Sequence, residues 1–245
     1  MPGFFDQVIT VYGRNPVLET LRDSTLQCTR LHLADSNKPA PALEEMRDLA
    51  KGRGIEIVTH GKRELSRISR KGSQDQGVAL DVLCPAFRSL DDFLDITPAA
   101  FTRVLAVDGV TNPQNAGMLV RSAVAGGIDA ILWPRAGNAA LGPLAVKASA
   151  GTLFQAPLVR CRDLPGALKR CQQRGFKVCI LDSNANTSLF DARFDTPTVF
   201  VLGNETEGPS AEAKALADAH CAVPMANGVE SLNVAVTAAL VAFLR

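Results

Sequence analysis

Apolar and polar positions alternate with two different periods along the chain, and they predict helix-like and strand-like segments in turn. In the first part of the chain, helices are predicted to begin near Asn15-Pro16, Pro41 and Lys62. Asn15 suits the N-cap of the first of these helices, and Pro16 suits its first helical position. The strands predicted in the same part are LHLAD, IEIVTH and GVALDV.

A second series of strands follows after a break. These strands are short runs in which almost every residue is apolar, which is typical of parallel strands buried on both faces. They are RVLAVD, DAILWP, KVCILD and TVFVLG. The second half of the chain is therefore predicted to be an α/β domain with a mainly parallel sheet.

The break between the two series is the segment CPAFRSLDDFLDITPAA, residues 84–100. It contains two prolines and a cluster of acidic residues, and it shows no sustained period. We interpret it as a linker over 85–100, with room for a helical turn, between a domain over 1–84 and a domain over 101–245.

Polar residues are concentrated where the later strands end. Asn112 and Pro113 are placed as N-cap and first residue of a helix, and Asn115 and Arg121 are the polar residues able to project toward a ligand. Near the C-terminus, CAVPMANGVESLNVAV predicts a short strand, a glycine loop, and a final helix with Ser231 at its start and Asn233 in its first turn. Single Asn or Ser residues usually cap helices, but several such loops in one domain favour a shared site at the carboxyl ends of the strands.

The stretch VFVLGNETEGPS, residues 199–210, has glycines spaced as in a phosphate-binding loop. However, Pro209 stands where the lysine of a P-loop would lie, and proline has no backbone N–H to offer a phosphate. These two differences exclude a site for a nucleoside triphosphate, but the loop can still bind a different ligand.

Composition narrows the class of protein further. The 245 residues are 47% hydrophobic and 21% charged, which is enough for a globular core. No apolar run reaches the length of a membrane span and the first residues have no export signal, so we expect a cytoplasmic protein without a membrane partner. The six cysteines include no C-x-x-C pair, so we expect reduced thiols and no metal site.

The charge is nearly balanced overall, at +1, but residues 51–72 carry seven lysines and arginines against Glu56 and Glu64. Two interpretations remain open for this basic segment. It is either the solvated face of a helix or a surface that contacts the phosphates of a nucleic acid.

Three segments resemble the signature motifs of the SpoU (TrmH-type) RNA 2′-O-ribose methyltransferases, in the order in which that family has them. They are TNPQNAGMLVRSA, VLGNETEGPS and VPMANGVESLNVAV. The segments VYGRNPVLETLR and QGVALDV resemble the start and end of the L30e-like RNA-binding domain of many members, and GPLAVKASAG resembles a connecting segment. One difference is Asn112, where aspartate is common in the family, but either residue caps a helix.

The resemblance implies that the second domain is a SPOUT α/β-knot, in which a deep trefoil knot binds S-adenosylmethionine. By motif position, the backbone-rich cofactor contacts are Gly203, Val223 and Leu232, with Leu202, Asn204 and Met225 beside them. Apolar side chains and backbone amides suit an adenine ring.

The resemblance also implies the catalytic residues. Arg121 acts at the ribose hydroxyl, and Asn115, Glu205, Ser231 and Asn233 shape the site around it. Two roles stay open for Arg121, because a guanidinium stays protonated at neutral pH: it acts as the base, or it binds the adjacent phosphate and helps that group accept the proton.

The partners implied are RNA and a second copy of the chain. The RNA-binding candidates are Arg63, Arg67 and Arg70 of the basic segment, together with Arg14. Members of the family pair through the knotted domain. The presence of a full L30e-like domain makes the chain more similar to the ribosomal-RNA guanosine-2′-O-methyltransferases than to the compact transfer-RNA enzymes.

Three alternative functions remain open: a transfer-RNA 2′-O-methyltransferase, a knotted enzyme that methylates a base nitrogen, and a non-catalytic RNA-binding module. A nicotinamide-dependent oxidoreductase is a more distant alternative, since no G-x-G-x-x-G follows a strand.

Overall fold

A computed structural model describes residues 7–70, 72, 74–204 and 206–244. These residues form two compact units, Gln7–Pro85 and the residues from Ala86 onward.

The N-terminal unit is a sheet with helices between its strands. Along the chain it contains β1 (Val8–Tyr12), α1 (Arg14–Arg22), β2 (Gln27–Ala34), α2 (Pro41–Gly52), β3 (Glu56–His60), α3 (Lys62–Ser69) and β4 (Val78–Leu83). The strand order is β1-β4-β2-β3, with β4 antiparallel to both neighbours and β2 parallel to β3. The three predicted strands and the three predicted helices of this part are confirmed, whereas β1 (VITVY) was not predicted.

Asn15 is not the N-cap of the first helix, contrary to the prediction. Helix α1 begins at Arg14, after Gly13 in a left-handed conformation with φ of 90°. The backbone N–H of Arg14 donates to Gln76 Oε1 at 3.0 Å, so a residue distant in sequence takes the role expected of Asn15. Pro16 still lies in the first turn, where a missing N–H costs no hydrogen bond.

The C-terminal unit is built on a parallel sheet with the strand order β11-β9-β10-β6-β7-β8-β5. Its strands are β5 (Arg88–Ser89), β6 (Arg103–Val107), β7 (Ala130–Pro134), β8 (Leu158–Cys161), β9 (Lys177–Leu181), β10 (Thr198–Leu202) and β11 (Ala219–Cys221). Its helices are α4 (Leu90–Leu94), α5 (Pro113–Ala125), α6 (Pro143–Ala148), α7 (Leu164–Gln173), α8 (Ala211–Lys214) and α9 (Val234–Ala242), with a 3₁₀ helix over Thr152–Gln155. All residues of β7 and β10 are buried, as predicted for strands covered on both faces.

Part of the predicted linker belongs to the C-terminal unit. Ser89 caps α4 through a capping box with Asp92, and Leu90, Phe93 and Leu94 are buried in the core of this unit. Two of the three acidic residues that suggested a linker, Asp91 and Asp92, lie in the first turn of α4, where negative charge is favourable, and Asp95 is its C-cap.

The two predicted helix starts of the C-terminal unit have different outcomes. Asn112 is confirmed as the N-cap of α5, since its side chain accepts from the backbone N–H of Gln114 at 2.8 Å. The last helix starts later than predicted: it begins at Val234, Asn233 is its N-cap, and Ser231 lies in the preceding loop. The side chain of Asn233 caps the helix by accepting a hydrogen bond from the backbone N–H of Ala235 at 2.8 Å.

The α/β class and the mainly parallel second sheet are confirmed. The trefoil knot concerns how the chain threads through its own loops, which strand order and register do not record, so it stays a prediction. The cysteines are free thiols, and burial raises the pKa of Cys161 and Cys171 to about 12, which keeps both protonated. None of the helices in the described ranges has the length and apolar character needed to span a membrane.

Candidate functional site

A cavity of about 330 Å³ lies at the carboxyl ends of β9, β10 and β11 in the C-terminal unit. Three loops form most of its wall, and each continues one of these strands. The wall includes all six predicted cofactor residues and Ser231: Leu202, Gly203, Asn204, Val223, Met225, Leu232 and Ser231. The parallel sheet therefore brings together residues from two motifs that are about twenty positions apart in sequence.

The glycine loop after β10 turns back on itself. Asn204 and Gly208 form an isolated bridge, and the N–H of Gly208 donates to the Asn204 carbonyl at 2.8 Å. A side chain at Gly203 would overlap backbone atoms of Gly208 and Pro209, so only glycine fits the base of this loop. Glu205, one of the predicted catalytic residues, lies outside the described residues.

Side-chain hydrogen bonds join the glycine loop to the loop after β6. Asn204 Nδ2 donates to the carbonyl of Gly109 at 3.1 Å, and the backbone N–H of Ser210 donates to the Asp108 carboxylate at 2.8 Å. Asn204 thus supports the wall of the cavity with its side chain.

Asn138 supports the same loop from the other side. Its Oδ1 accepts from the Val110 N–H at 2.9 Å, and its Nδ2 donates to the Val107 carbonyl at 3.2 Å. The end of β6 and the loop that leads to α5 are therefore held by residues that follow β7 and β10. Asp108 and Asn138 were missed by the sequence analysis, because nothing local distinguishes them from ordinary loop residues.

Two predicted catalytic residues from different motifs are in contact. Asn233 Nδ2 donates to Asn115 Oδ1 at 3.1 Å, while Asn233 Oδ1 caps α9. The cavity wall continues into α9 through Val234 and Thr237, directly after Asn233. The pair Asn115–Asn233 therefore stands beside the cavity, at the point where α5 and α9 begin.

Arg121 is placed elsewhere. It lies on the exposed side of α5, six residues after Asn115, which corresponds to about 120° around the helix axis. The described residues that form the wall of the cavity do not include it. In a single copy of the chain, Arg121 faces solvent.

The cavity wall also holds an ion pair that the sequence analysis missed. Asp182, the residue after β9, pairs with Lys214 of α8 through Oδ2 and Nζ at 3.1 Å. The Asn184 backbone N–H and Lys214 lower the pKa of Asp182, so this carboxylate is ionised. Its only local signal is its position directly after an apolar run, where a strand of an α/β sheet ends.

The predicted RNA-binding residues lie in the N-terminal unit. Arg63 and Arg67 are exposed on α3 four residues apart, and Arg70 is exposed directly after that helix, in a left-handed conformation with φ of 56°. The spacing of four residues places Arg63 and Arg67 on one side of α3, and Arg70 follows at the end of that helix. Arg14 is half-buried, and its Nε donates to the Gln76 carbonyl at 3.4 Å.

Family models match both parts of the chain. Residues 102–243 match the SpoU rRNA methylase family, and residues 10–83 match the RNA 2′-O ribose methyltransferase substrate-binding family. Two relatives are described as uncharacterized tRNA/rRNA methyltransferases. The one from Mycobacterium ulcerans is 35% identical over 98% of this chain and 77% of its own length. The one from Mycolicibacterium gilvum is 33% identical over 96% of this chain and 75% of its own length.

Solved structures have the same fold over nearly the whole chain. The SpoU methyltransferase AviRb from Streptomyces viridochromogenes, in complex with the cofactor AdoMet, is 26% identical with a TM-score of 0.64, covering 97% of this chain and 88% of AviRb. An AdoMet-bound rRNA methyltransferase from Sinorhizobium meliloti is 22% identical with a TM-score of 0.65, covering 97% of this chain and 86% of that protein. With the family models and the relatives above, these findings show that the chain belongs to the SpoU rRNA methylase family, a family of RNA methyltransferases, as the motifs predicted.

A substitution at Gly203 tests how tightly the wall of the cavity is built. Gly203→Ala places a methyl group against the backbone of Gly208 and Pro209, and we expect the free energy of unfolding of the C-terminal unit to fall by about 1–3 kcal/mol. Urea titration followed by the fluorescence of Trp133 measures this, since Trp133 is the chain's only tryptophan and is buried in β7.

The comparison variant is Gly52→Ala in α2 of the N-terminal unit, where a Cβ meets nothing within 4 Å; its Trp133 unfolding curve should match that of the unmodified protein. Equal unfolding curves for Gly203→Ala and the unmodified protein would contradict the close approach of the two loop segments.

Proposed function

We propose that this protein transfers a methyl group from S-adenosylmethionine to a ribose 2′-hydroxyl of RNA, with ribosomal RNA as the favoured substrate. The observation that carries the proposal is the convergence of motif residues on one cavity, with the Asn115–Asn233 pair beside it. The preference for ribosomal RNA rests on the SpoU rRNA methylase description and on the separate substrate-binding family match over residues 10–83.

The cavity suits the cofactor in size and chemistry. Its volume of about 330 Å³ lies within the range of small-molecule sites. Leu202, Val223, Met225 and Leu232 make one part of its wall apolar, which suits an adenine ring. The AdoMet complex of AviRb, which has the same fold, supports this choice of cofactor. When bound, S-adenosylmethionine supplies an activated methyl group on a sulfonium sulfur.

The residues beside the cavity then have to position a hydroxyl group and manage its proton. Asn115 and Asn233 each offer amide groups that can orient a ribose, and Ser231 adds a hydroxyl on the wall. None of these three groups is a strong base at neutral pH. Their role in the proposal is to hold the ribose, which leaves the proton to another group.

Arg121 is proposed to bind the RNA phosphate next to the reacting ribose. A guanidinium stays protonated at neutral pH, so a phosphate ligand suits it better than a proton does. Its exposure also fits this role, because RNA arrives from solvent and its phosphates are the first groups to meet a surface arginine. The bound phosphate then stands close to the hydroxyl and can accept its proton.

Replacing Arg121 tests this role. Arg121→Ala should lower the rate of methyl transfer to RNA by about 10²–10⁴-fold, because a group that positions the reactants or handles the proton contributes about that much. Affinity for S-adenosylmethionine, measured by calorimetry, should stay unchanged, since Arg121 is not in the cavity wall.

The matched control for Arg121 is Arg193→Ala, which removes another exposed arginine of the same unit. Turnover of Arg121→Ala within a few-fold of the unmodified protein would refute the role given to this side chain.

The basic side of α3 is proposed to capture the RNA. Replacing Arg63, Arg67 and Arg70 together with alanine should weaken RNA binding and reduce the slope of log K against log salt concentration by about 2 to 3, because three phosphate contacts no longer release counterions. Filter binding over a series of salt concentrations measures the slope, and cofactor affinity should not change.

A second triple variant controls for the loss of charge. Arg22, Lys38 and Arg47 are exposed in the same unit outside residues 51–72, and their replacement by alanine removes an equal charge. An equal reduction of slope in both variants, or none in either, would favour the solvated-face interpretation of the basic segment.

The chain is also proposed to form a homodimer through α9. This helix contains no charged residue, and besides its buried face it exposes Val236, which is 47% exposed, followed by Phe243, which is 58% exposed. Phe190, 54% exposed, adjoins them and completes an apolar groove with Ala239, Leu240 and Leu244. A helix that is apolar on all sides is stable in water only when it is covered.

Sedimentation at micromolar concentration tests the dimer. The unmodified protein should sediment as a dimer, and a Val236→Glu, Phe243→Glu double variant as a monomer, because two charges per copy would be buried in the interface. Phe101→Glu alters another exposed residue of the same unit and should leave the dimer intact. A monomeric unmodified protein would rule this assembly out.

A further inference from the structure

The signature motifs assign nothing to Asp182 and Lys214, which form an ion pair in the described wall of the cavity. We propose that Asp182 binds the ribose hydroxyls of the nucleoside part of the cofactor. This inference rests on the proposed function, because it takes the cavity as the S-adenosylmethionine site, and it adds a side-chain contact that recognises the sugar.

The Asp182 carboxylate has acceptor positions to spare. It is only 17% exposed, its Oδ1 accepts from the Asn184 N–H at 3.0 Å, and its Oδ2 pairs with Lys214 Nζ at 3.1 Å. A carboxylate offers about four acceptor positions, so these two partners hold the group in place and leave the others for a ligand. The Asn184 hydrogen bond and Lys214 also lower its pKa, which keeps it an acceptor.

The strand order β9-β10-β6 separates Asp182 by two strand spacings, about 10 Å, from the end of β6, whose loop leads to α5 and Asn115. The methyl group has to lie near Asn115, so Asp182 faces a part of the cofactor away from the methyl group. The nucleoside and the amino-acid chain are both attached at the same sulfur atom, and charge chooses between them. The Asp182 carboxylate is already paired with Lys214 Nζ at 3.1 Å, so the neutral hydroxyls of the nucleoside suit it better than a second ammonium group does.

Within the nucleoside, the ribose matches a carboxylate best. Its two neighbouring hydroxyls donate to the two oxygens of one carboxylate, and an acidic side chain at the end of a strand binds ribose in this way in other α/β folds. The adenine ring is matched by the apolar residues Leu202, Val223 and Met225 of the wall. Lys214 offsets the negative charge, and the hydroxyls are neutral, so the site does not depend on a charged ligand.

Calorimetry with three ligands tests the assignment. The ligands are S-adenosylmethionine, 5′-methylthioadenosine, which keeps the ribose but lacks the amino acid, and the 2′,3′-dideoxy analogue of 5′-methylthioadenosine. Asp182→Asn and Asp182→Ala should each weaken binding of the first two ligands by about ten- to a hundred-fold, the size expected for hydrogen bonds to a charged group. Binding of the dideoxy ligand should be the same in the variants and in the unmodified protein.

The control variant is Glu212→Gln, which removes an exposed carboxylate from α8, two residues before Lys214. It should bind all three ligands as the unmodified protein does.

Each other result overturns the inference in a recognisable way. A loss confined to S-adenosylmethionine would assign Asp182 to the ammonium group, and an equal loss for the dideoxy ligand would assign it to adenine or to the structure of the wall. Unchanged affinities would show that Asp182 makes no contact. If the unmodified protein bound none of the ligands, the proposed function itself would fail.

Discussion

The site depends on hydrogen bonds that join the loops after two adjacent parallel strands, β6 and β10. Asn204 donates to the Gly109 carbonyl, and Asp108 accepts from the Ser210 N–H. Parallel strands end at the same edge of a sheet, but their loops diverge unless something holds them together. These two contacts keep the glycine loop against the loop that leads to α5, so the cavity wall and the Asn115–Asn233 pair share one support.

Much of the fold was readable from the sequence, because the strands of the second sheet are buried on both faces and stand out as apolar runs. The errors concern short elements and helix starts. The residues 88–94 were interpreted as linker since five residues of α4 are too few to show a period. Asn15 was given a cap role that Gln76 fills from a distance of 62 residues, and no local pattern reveals such a contact.

Residues of the candidate site could be predicted from the sequence only where they belong to a family motif. Leu202, Gly203 and Val223 follow from the family resemblance, and all three line the cavity. Asp182 and Asn138 belong to no motif. They contribute to the site because the fold of the sheet brings them into contact with Lys214 and with the loop after β6. Arg121 is the opposite case: its motif predicts a catalytic role, but the side chain is exposed and lies outside the described wall of the cavity, so the role proposed for it depends on bound RNA.

The central claim is that the methyl group is transferred to a ribose oxygen. The most direct measurement incubates the purified protein with S-adenosylmethionine and ribosomal RNA lacking the modification, digests the RNA to nucleosides and locates the added mass by fragmentation. The account predicts a nucleoside that fragments into an unmodified base and a sugar that carries the added methyl group. An added methyl group that stays with the base would contradict it. So would the absence of methyl transfer to every ribosomal RNA offered as substrate.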